Sequence, residues 1–278
     1  MIRLFHELSQ QCSKATAEKY STSFSSAIKL LHNDLRPAIF NIYGFVRFAD
    51  EIVDSFHQYH KEELLIDFKK ETYAAIKRNI SLNPILHSFQ ITVKQYGIST
   101  DLIDAFFSSM EMDLSKTKYN STGYQDYIYG SAEVVGLMCL YVFCEGNKAM
   151  FEKLKSFAQS LGAAFQKVNF LRDVKADYEQ LNRTYFPEVD FKNFTPSMKK
   201  EIETDIEKDF KAAYQGIVQL PEKARFGVYV AYKYYLSLFK KIKKTAPANI
   251  LEQRIRIPNY GKAFILAKAG LRSQLNLL

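Results

Sequence analysis

Asp50 and Asp54 stand four residues apart, and so do Asp173 and Asp177. On a helix that spacing stacks two carboxylates one turn apart, at roughly 6 Å. Like charges so placed repel unless a cation lies between them. A single Asp-x-x-x-Asp is ordinarily a solvated helix face. Two of them, each with an apolar back and an arginine nearby, suggest two helices facing across a cavity with metal ions held between. Magnesium prefers oxygen ligands and often binds through one or two carboxylates plus substrate phosphates. Facing pairs therefore suit a diphosphate held through such ions, whose departing charge metals and an arginine stabilise.

The elements that must position these groups are helical. At roughly 100° per residue, Gln166, Asn169, Asp173 and Asp177 fall within about 60–80° on one stripe. Phe165, Val168 and Leu171 point elsewhere and can anchor that helix in a core. Upstream, Tyr43, Arg47, Asp50 and Asp54 recur at i, i+4, i+7 and i+11, with Phe45, Val46, Ala49, Ile52, Val53 and Phe56 opposite. Tyr20 to Ser26 is rich in hydroxyls, which suits a helix N-cap and also a phosphate at a helix N-terminus.

The remaining chain reads as further helices. Leu4 to Lys19, Pro37 to Phe56, Lys61 to Arg78 and Asp101 to Asp113 are four of them. Asn83-Pro84 opens another that Gly97 stops. Asn120 to Gly123 reads as a loop. Tyr124 to Cys144 is the most apolar segment, a buried central helix whose small residues leave space for the hydroxyl of Tyr127 or Tyr129. Thr195-Pro196 places a cap and an N1 proline before the next helix, and Pro221 opens the one after it. No stretch alternates as a strand does, and no repeat or linker appears. The expectation is all-α: a single domain over 1–278, of about ten helices around a central apolar cavity.

Composition agrees. Gly 11 and Pro 7 are too few for a turn-rich β fold, and 47% hydrophobic residues suffice for a large core. Phe 22 and Tyr 18 against Trp 0 make the aromatic surface mostly phenyl and phenol, suited to a core or a long apolar pocket. Three scattered cysteines favour free thiols in a reducing compartment. The first ten residues lack an apolar signal region, and the run Val134 to Phe143 is shorter than the ~20 residues of a membrane span. These features suggest a cytoplasmic protein, and the net charge of +8 admits contact with an anionic membrane surface. No Walker loop, Gly-x-Gly-x-x-Gly or zinc spacing is present. A basic helical nucleic-acid binder would have no use for paired aspartates.

The sequence resembles the squalene/phytoene synthase family of head-to-head prenyl transferases. The resemblance is carried by Ser21-Thr22-Ser23-Phe24, by Tyr43 through Asp54, by Tyr127 through Gly136, and by Gln166 through Pro187 with its ending Arg183-Thr184-Tyr185-Phe186-Pro187. It implies the isoprenoid synthase fold and the joining of two allylic prenyl diphosphates through a cyclopropylcarbinyl diphosphate. Phytoene from two geranylgeranyl diphosphates, in carotenoid biosynthesis, is the first expectation. Squalene or dehydrosqualene from farnesyl diphosphate is the alternative, with NADPH only for squalene. A silent prenyl-lipid-binding relative is a further one.

By motif, the resemblance makes Asp50, Asp54, Asp173 and Asp177 ligands of Mg2+, for which Mn2+ can substitute, with Asn169 beside them. Ser21, Ser23, Phe24, Tyr43 and Arg47 would contact substrate, and Gln166 and Asn169 would line its site. Tyr127 would stand near the reacting carbons, and Tyr235 and Arg254 would help to hold a diphosphate. Three positions depart from the family pattern. Glu51 replaces an aspartate, Ala176 stands where an acid is frequent, and Glu133 stands where glycine is common. A charge at Glu133 is awkward in an apolar tunnel, so it is expected to pair with a base or to shorten the pocket.

Overall fold

A computed structural model describes residues 2–115, 119–180, 184–187, 189, 191–252 and 254–274, the side chains of 176–180, 192, 259, 273 and 274 excepted. The expectation for Asp177 and the readings of Ala176 and Arg183 fall outside the described residues. In chain order the helices are α1 (Ile2–Tyr20), α2 (Thr22–Ile28), α3 (Arg36–Ser55), α4 (Lys61–Arg78), α5 (Pro84–Tyr96), α6 (Thr100–Ser115) and α7 (Ser121–Ile128). A π-helical turn (Tyr129–Glu133) joins α7 to α8 (Val134–Cys144). Then come α9 (Lys148–Gln180), α10 (Pro196–Ile217), α11 (Glu222–Lys244), α12 (Pro247–Glu252) and α13 (Asn259–Gln274). Among the described residues there is no strand beyond an isolated bridge at Thr184.

Local chemistry sets several of these boundaries. Asn83 caps α5 by accepting from the Ile85 and Leu86 N–H groups, and Gly97 ends it at φ +65°. That conformation favours a residue without a Cβ. Thr195 caps α10 through the Met198 N–H. Asn120 to Gly123 is not a loop. The Asn120 side chain accepts the Gly123 N–H at 2.8 Å and starts α7 there, because a cap residue and a loop residue look alike in sequence.

The apolar back of α3 fixes how its polar front is aimed. Phe45 is fully buried and stacks on Phe89 at 3.9 Å and 3°, with Phe106 and Phe107 against its other sides. Emptying such a site costs about 3–5 kcal/mol, so α3 cannot easily rotate. Around it lie α1, α4, α5, α6 and α8.

The glycines of the π-helical turn and α8 do not leave open space, whereas Ser131 of that turn and Tyr127 do face a cavity. A Cβ on Gly130 would meet the Ala105 carbonyl of α6 at 2.5 Å, and one on Gly136 would meet the Ala158 carbonyl of α9 at 2.9 Å. Neighbouring backbones fill the room. The segment Ser121–Cys144 is one continuous helix, long and apolar enough to cross a membrane, which corrects the shorter estimate taken from its central run. More than half of its most apolar stretch is buried inside the protein, as befits a central core helix.

The 33-residue α9 packs on α8, α10, α11 and α12. Its contact with α10 carries a buried charge cluster. Lys167, 8% exposed, donates to Asp205 Oδ2 at 2.5 Å and Asp209 Oδ2 at 2.8 Å. Removing one partner of a buried pair leaves the other charge stranded. Lys167→Met should therefore lower stability by about 2 kcal/mol, reduced from the fully buried case because Asp205 is half exposed. A denaturant midpoint shift worth less than about 0.5 kcal/mol would show that the cluster contributes nothing.

Candidate active site

One polar cavity of about 470 Å³ opens between α3, α6, α7, the π-helical turn and α9. Asp50 and Asp54 line it from α3 and Asp173 from α9, with Arg47, Tyr127, Gln166, Asn169 and Arg254 also in its wall. The two distant segments thus meet across one hollow. Met110, Asp113, Ser131, Phe170, Arg172, Tyr185 and Tyr20 complete the lining.

The α3 carboxylates are crowded. Burial pushes the Asp50 carboxyl up to about 7, and the charges of Asp54 and Asp113 add to the rise while Arg47 opposes it. That environment is short of positive charge. Arg47 is committed elsewhere: it pairs with Glu51, and its guanidinium lies over the Tyr20 ring at 4.3 Å. Its Nε is buried with no hydrogen-bond partner, a donor that an anionic oxygen would satisfy.

Asp173 has the opposite surroundings. Arg172 grips it at 2.5–3.1 Å, and Arg254, reaching in from the segment before α13, pairs with it at 2.7 Å. The spacing of Arg254 gives no sign of this contact, 81 residues away.

A hydrogen-bonded line runs along α9 and across it. Gln166 donates to Ser131 Oγ at 3.2 Å, Asn169 to Gln166 Oε1 at 3.4 Å, and the Tyr235 hydroxyl to Asn169 Oδ1 at 3.2 Å. Behind it, outside the cavity lining, Phe24, Phe165 and Tyr235 form an aromatic cluster, with Phe165 stacked on Tyr235 at 3.9 Å and Phe24 near Tyr43 at 6.1 Å. Burial pushes the Tyr43 hydroxyl up to about 12. Ser21 is the N-cap of α2, accepting the Phe24 N–H at 3.2 Å. Neither Ser21 nor Ser23 lines the cavity.

Asp113 is the residue that spacing did not reveal. The buried Tyr127 hydroxyl donates to its Oδ2 at 2.7 Å, and the Tyr119 hydroxyl donates to Oδ1 at 3.3 Å. Burial, then Asp113, hold the Tyr127 phenol well above its ordinary range. The one available signal was that Asp113 continues the buried line Phe106, Met110 of α6. A carboxylate on a buried face needs a partner. Tyr127 and Ser131 flank or belong to the π-helical turn, an irregularity often found at functional sites. Glu133 takes a hydrogen bond from Gln159 at 2.9 Å, not from a base, and lies outside the cavity wall.

Among the described residues no three carboxylate, imidazole or thiolate groups converge on one cation position. Asp50, Asp54 and Asp113 nonetheless make an acidic wall short of positive charge. Such a wall fits a divalent ion that takes its remaining ligands from water and substrate.

The profile of the squalene/phytoene synthase family matches residues 17–261. The chain belongs to that family. Phytoene synthase 3, chloroplastic, of Zea mays is 25% identical over 97% of this chain and 66% of its own length. The 4,4'-diapophytoene synthase of Staphylococcus haemolyticus is 29% identical over 67% of the chain and 65% of its own length. The chain thus spans about two thirds of the length of these relatives. A crystal structure of a dehydrosqualene synthase in complex with ligand superposes with a TM-score of 0.81 over 98% of both chains at 18% identity. The helical architecture is therefore the isoprenoid synthase fold of this family.

Proposed function

We propose that this chain joins two geranylgeranyl diphosphates head to head, giving phytoene through a cyclopropylcarbinyl diphosphate, in carotenoid biosynthesis. The observation that carries this reading is the shared cavity. Carboxylates of α3 and α9, three arginines and a buried tyrosine surround one hollow in a family member related to phytoene synthases. Cytoplasmic residence belongs to the same proposal. The name of the maize relative places that protein in the chloroplast.

Asp50 and Asp54 would hold magnesium, with Asp173 and Asp177 as the opposing pair. Bound there with the diphosphate, the ions supply positive charge against the leaving group. Arg47, already in the cavity wall, would turn its guanidinium toward a diphosphate oxygen. Arg254 and Arg172 stand ready to move from Asp173 to the same anion, since both already line the cavity.

The C1–O bond of one substrate breaks, and its electron pair leaves with diphosphate. The double bond of the second substrate attacks the allylic cation, and a proton is lost as the three-membered ring closes. The second diphosphate then departs, the skeleton rearranges, and loss of another proton gives the hydrocarbon. The cavity wall suits these cations. Tyr127, Phe170 and Tyr185 present stacked rings, the last two 4.1 Å apart, and aromatic faces attract positive charge.

The alternative is farnesyl diphosphate, giving dehydrosqualene, or squalene where NADPH is used. A relative named 4,4'-diapophytoene synthase, 29% identical over 67% of the chain, supports that second reading.

The test is to incubate the protein with magnesium and either diphosphate, with and without NADPH, and to weigh the hydrocarbon by mass spectrometry. Phytoene from geranylgeranyl diphosphate without NADPH is expected. Turnover of farnesyl diphosphate alone would transfer the reading to the alternative. No hydrocarbon from either would leave a lipid-binding relative.

A further inference from the structure

Helix α13 is apolar on both of its long faces. Ile265, Leu266 and Ala269 turn toward the protein, where α13 packs on α11. On the opposite side Tyr260, Phe264 and Leu271 are 81%, 70% and 61% exposed, and the small Ala263 and Ala267 between them are exposed as well. At 100° per residue these five fall within about 100° of one another. Large apolar side chains gathered in one exposed stripe mark an interaction surface, so this outer stripe calls for an occupant. Most of α13 also lies past residue 261, where the family match ends.

The charge around the stripe selects the occupant. From Arg254 to Leu278 the chain carries Arg254, Arg256, Lys262, Lys268 and Arg272 and no acidic residue. A second copy meeting this face across a two-fold axis would bring the same cations together, which is unfavourable. An anionic lipid surface accepts both features, taking the rings and leucine at the headgroup boundary and the exposed Arg256 and Lys268 at its phosphates. The position fits too. Lys262 donates to Thr22 Oγ1 at 2.6 Å, which ties the start of α13 to α2. The neighbouring Tyr20 and the nearby Arg254 line the cavity.

We infer that the outer face of α13 docks the protein on an anionic membrane surface, beside the opening of the cavity. The benefit for supply of a prenyl substrate and discharge of a hydrocarbon rests on the proposed function. The surface argument does not.

Sedimentation with vesicles of equal parts phosphatidylglycerol and phosphatidylcholine tests it on the whole chain. The wild-type protein should pellet with these vesicles, and much less with phosphatidylcholine alone. The triple variant Tyr260→Ser, Phe264→Ser, Leu271→Ser should lose at least about tenfold in partitioning. Lys268→Glu with Arg256→Glu should lose a similar factor. Turnover of detergent-dispersed substrate should be unchanged in both, because none of these side chains is placed in the site. Equal pelleting of wild type and triple variant overturns the inference. So does a wild-type protein that stays in solution, or a triple variant whose one change is from dimer to monomer. A protein that pellets as expected but makes no hydrocarbon would overturn the proposed function and leave the docking face standing.

Discussion

Replacing Asp50 by asparagine should abolish turnover and at the same time make the metal-free protein more stable. Both effects come from one carboxylate held in an acidic wall. Burial and the charges of Asp54 and Asp113 push its carboxyl up to about 7, from an ordinary value of 3.8. A raised acid pKa means that the folded chain binds the proton more tightly than the unfolded chain. Stability therefore falls as pH rises from about 4 to 7, and the penalty is complete above 7. Three pH units correspond to about 4 kcal/mol. Asp50 keeps contact with solvent in the cavity, so about 2 kcal/mol is the expected share. In the presence of a chelator, Asp50→Asn should gain that amount at pH 8 and nothing at pH 4, read from denaturant midpoints. Added magnesium and diphosphate should stabilise the wild-type protein and not the variant. Turnover should fall by about a thousandfold, the size of effect expected when charge stabilisation of a leaving group is removed. A variant less stable than wild type at pH 8, or one that retains turnover, would show that Asp50 is not held against its own electrostatics for the sake of a cation.

What the sequence made legible followed from periodicity. The fronts and backs of α3 and α9 could be assigned because Phe45, Ala49, Ile52 and Val53 on one helix, and Val168 and Leu171 on the other, repeat at helical spacing and are buried. Six cavity-lining groups of those fronts, Arg47, Asp50, Asp54, Gln166, Asn169 and Asp173, are marked by spacing alone. What escaped was contact between segments. Asp113 belongs to a different helix from Tyr127, and its spacing within α6 says nothing of the two phenols that reach it. Arg254 sits in a short connection whose path no pattern fixes, yet it lands on Asp173. The two glycines of the Tyr127–Gly136 motif misled in a different way. A missing side chain reads as empty space in a sequence, whereas here it admits the carbonyls of Ala105 and Ala158. Glu133 shows the same limit. Its partner, Gln159, is an uncharged amide 26 residues further on, which no charge pattern would find.

Tyr127 and Asp113 should behave as one unit. The phenol is buried and held well above its ordinary range, so at working pH it stays protonated and acts as a neutral hydroxyl. Its proton is committed to Asp113 Oδ2 at 2.7 Å. The oxygen's lone pairs are then the electron-rich feature available to the cavity, and Asp113, braced by Tyr119, decides where they point. Tyr127→Phe deletes that oxygen and should lower turnover about a hundredfold, with a stability cost near 1 kcal/mol. Asp113→Ala leaves the hydroxyl free to rotate and should cost about as much turnover. Asp113→Asn keeps an acceptor for the Tyr127 proton, so it should retain turnover to within about tenfold. If orientation is the link, the Tyr127→Phe, Asp113→Ala double variant will be no slower than either single one, because the second change removes nothing the first had left. Multiplying losses in the double variant would separate the two residues. An Asn variant as slow as the Ala variant would move the role of Asp113 from aiming the phenol to supplying negative charge at the reacting carbons.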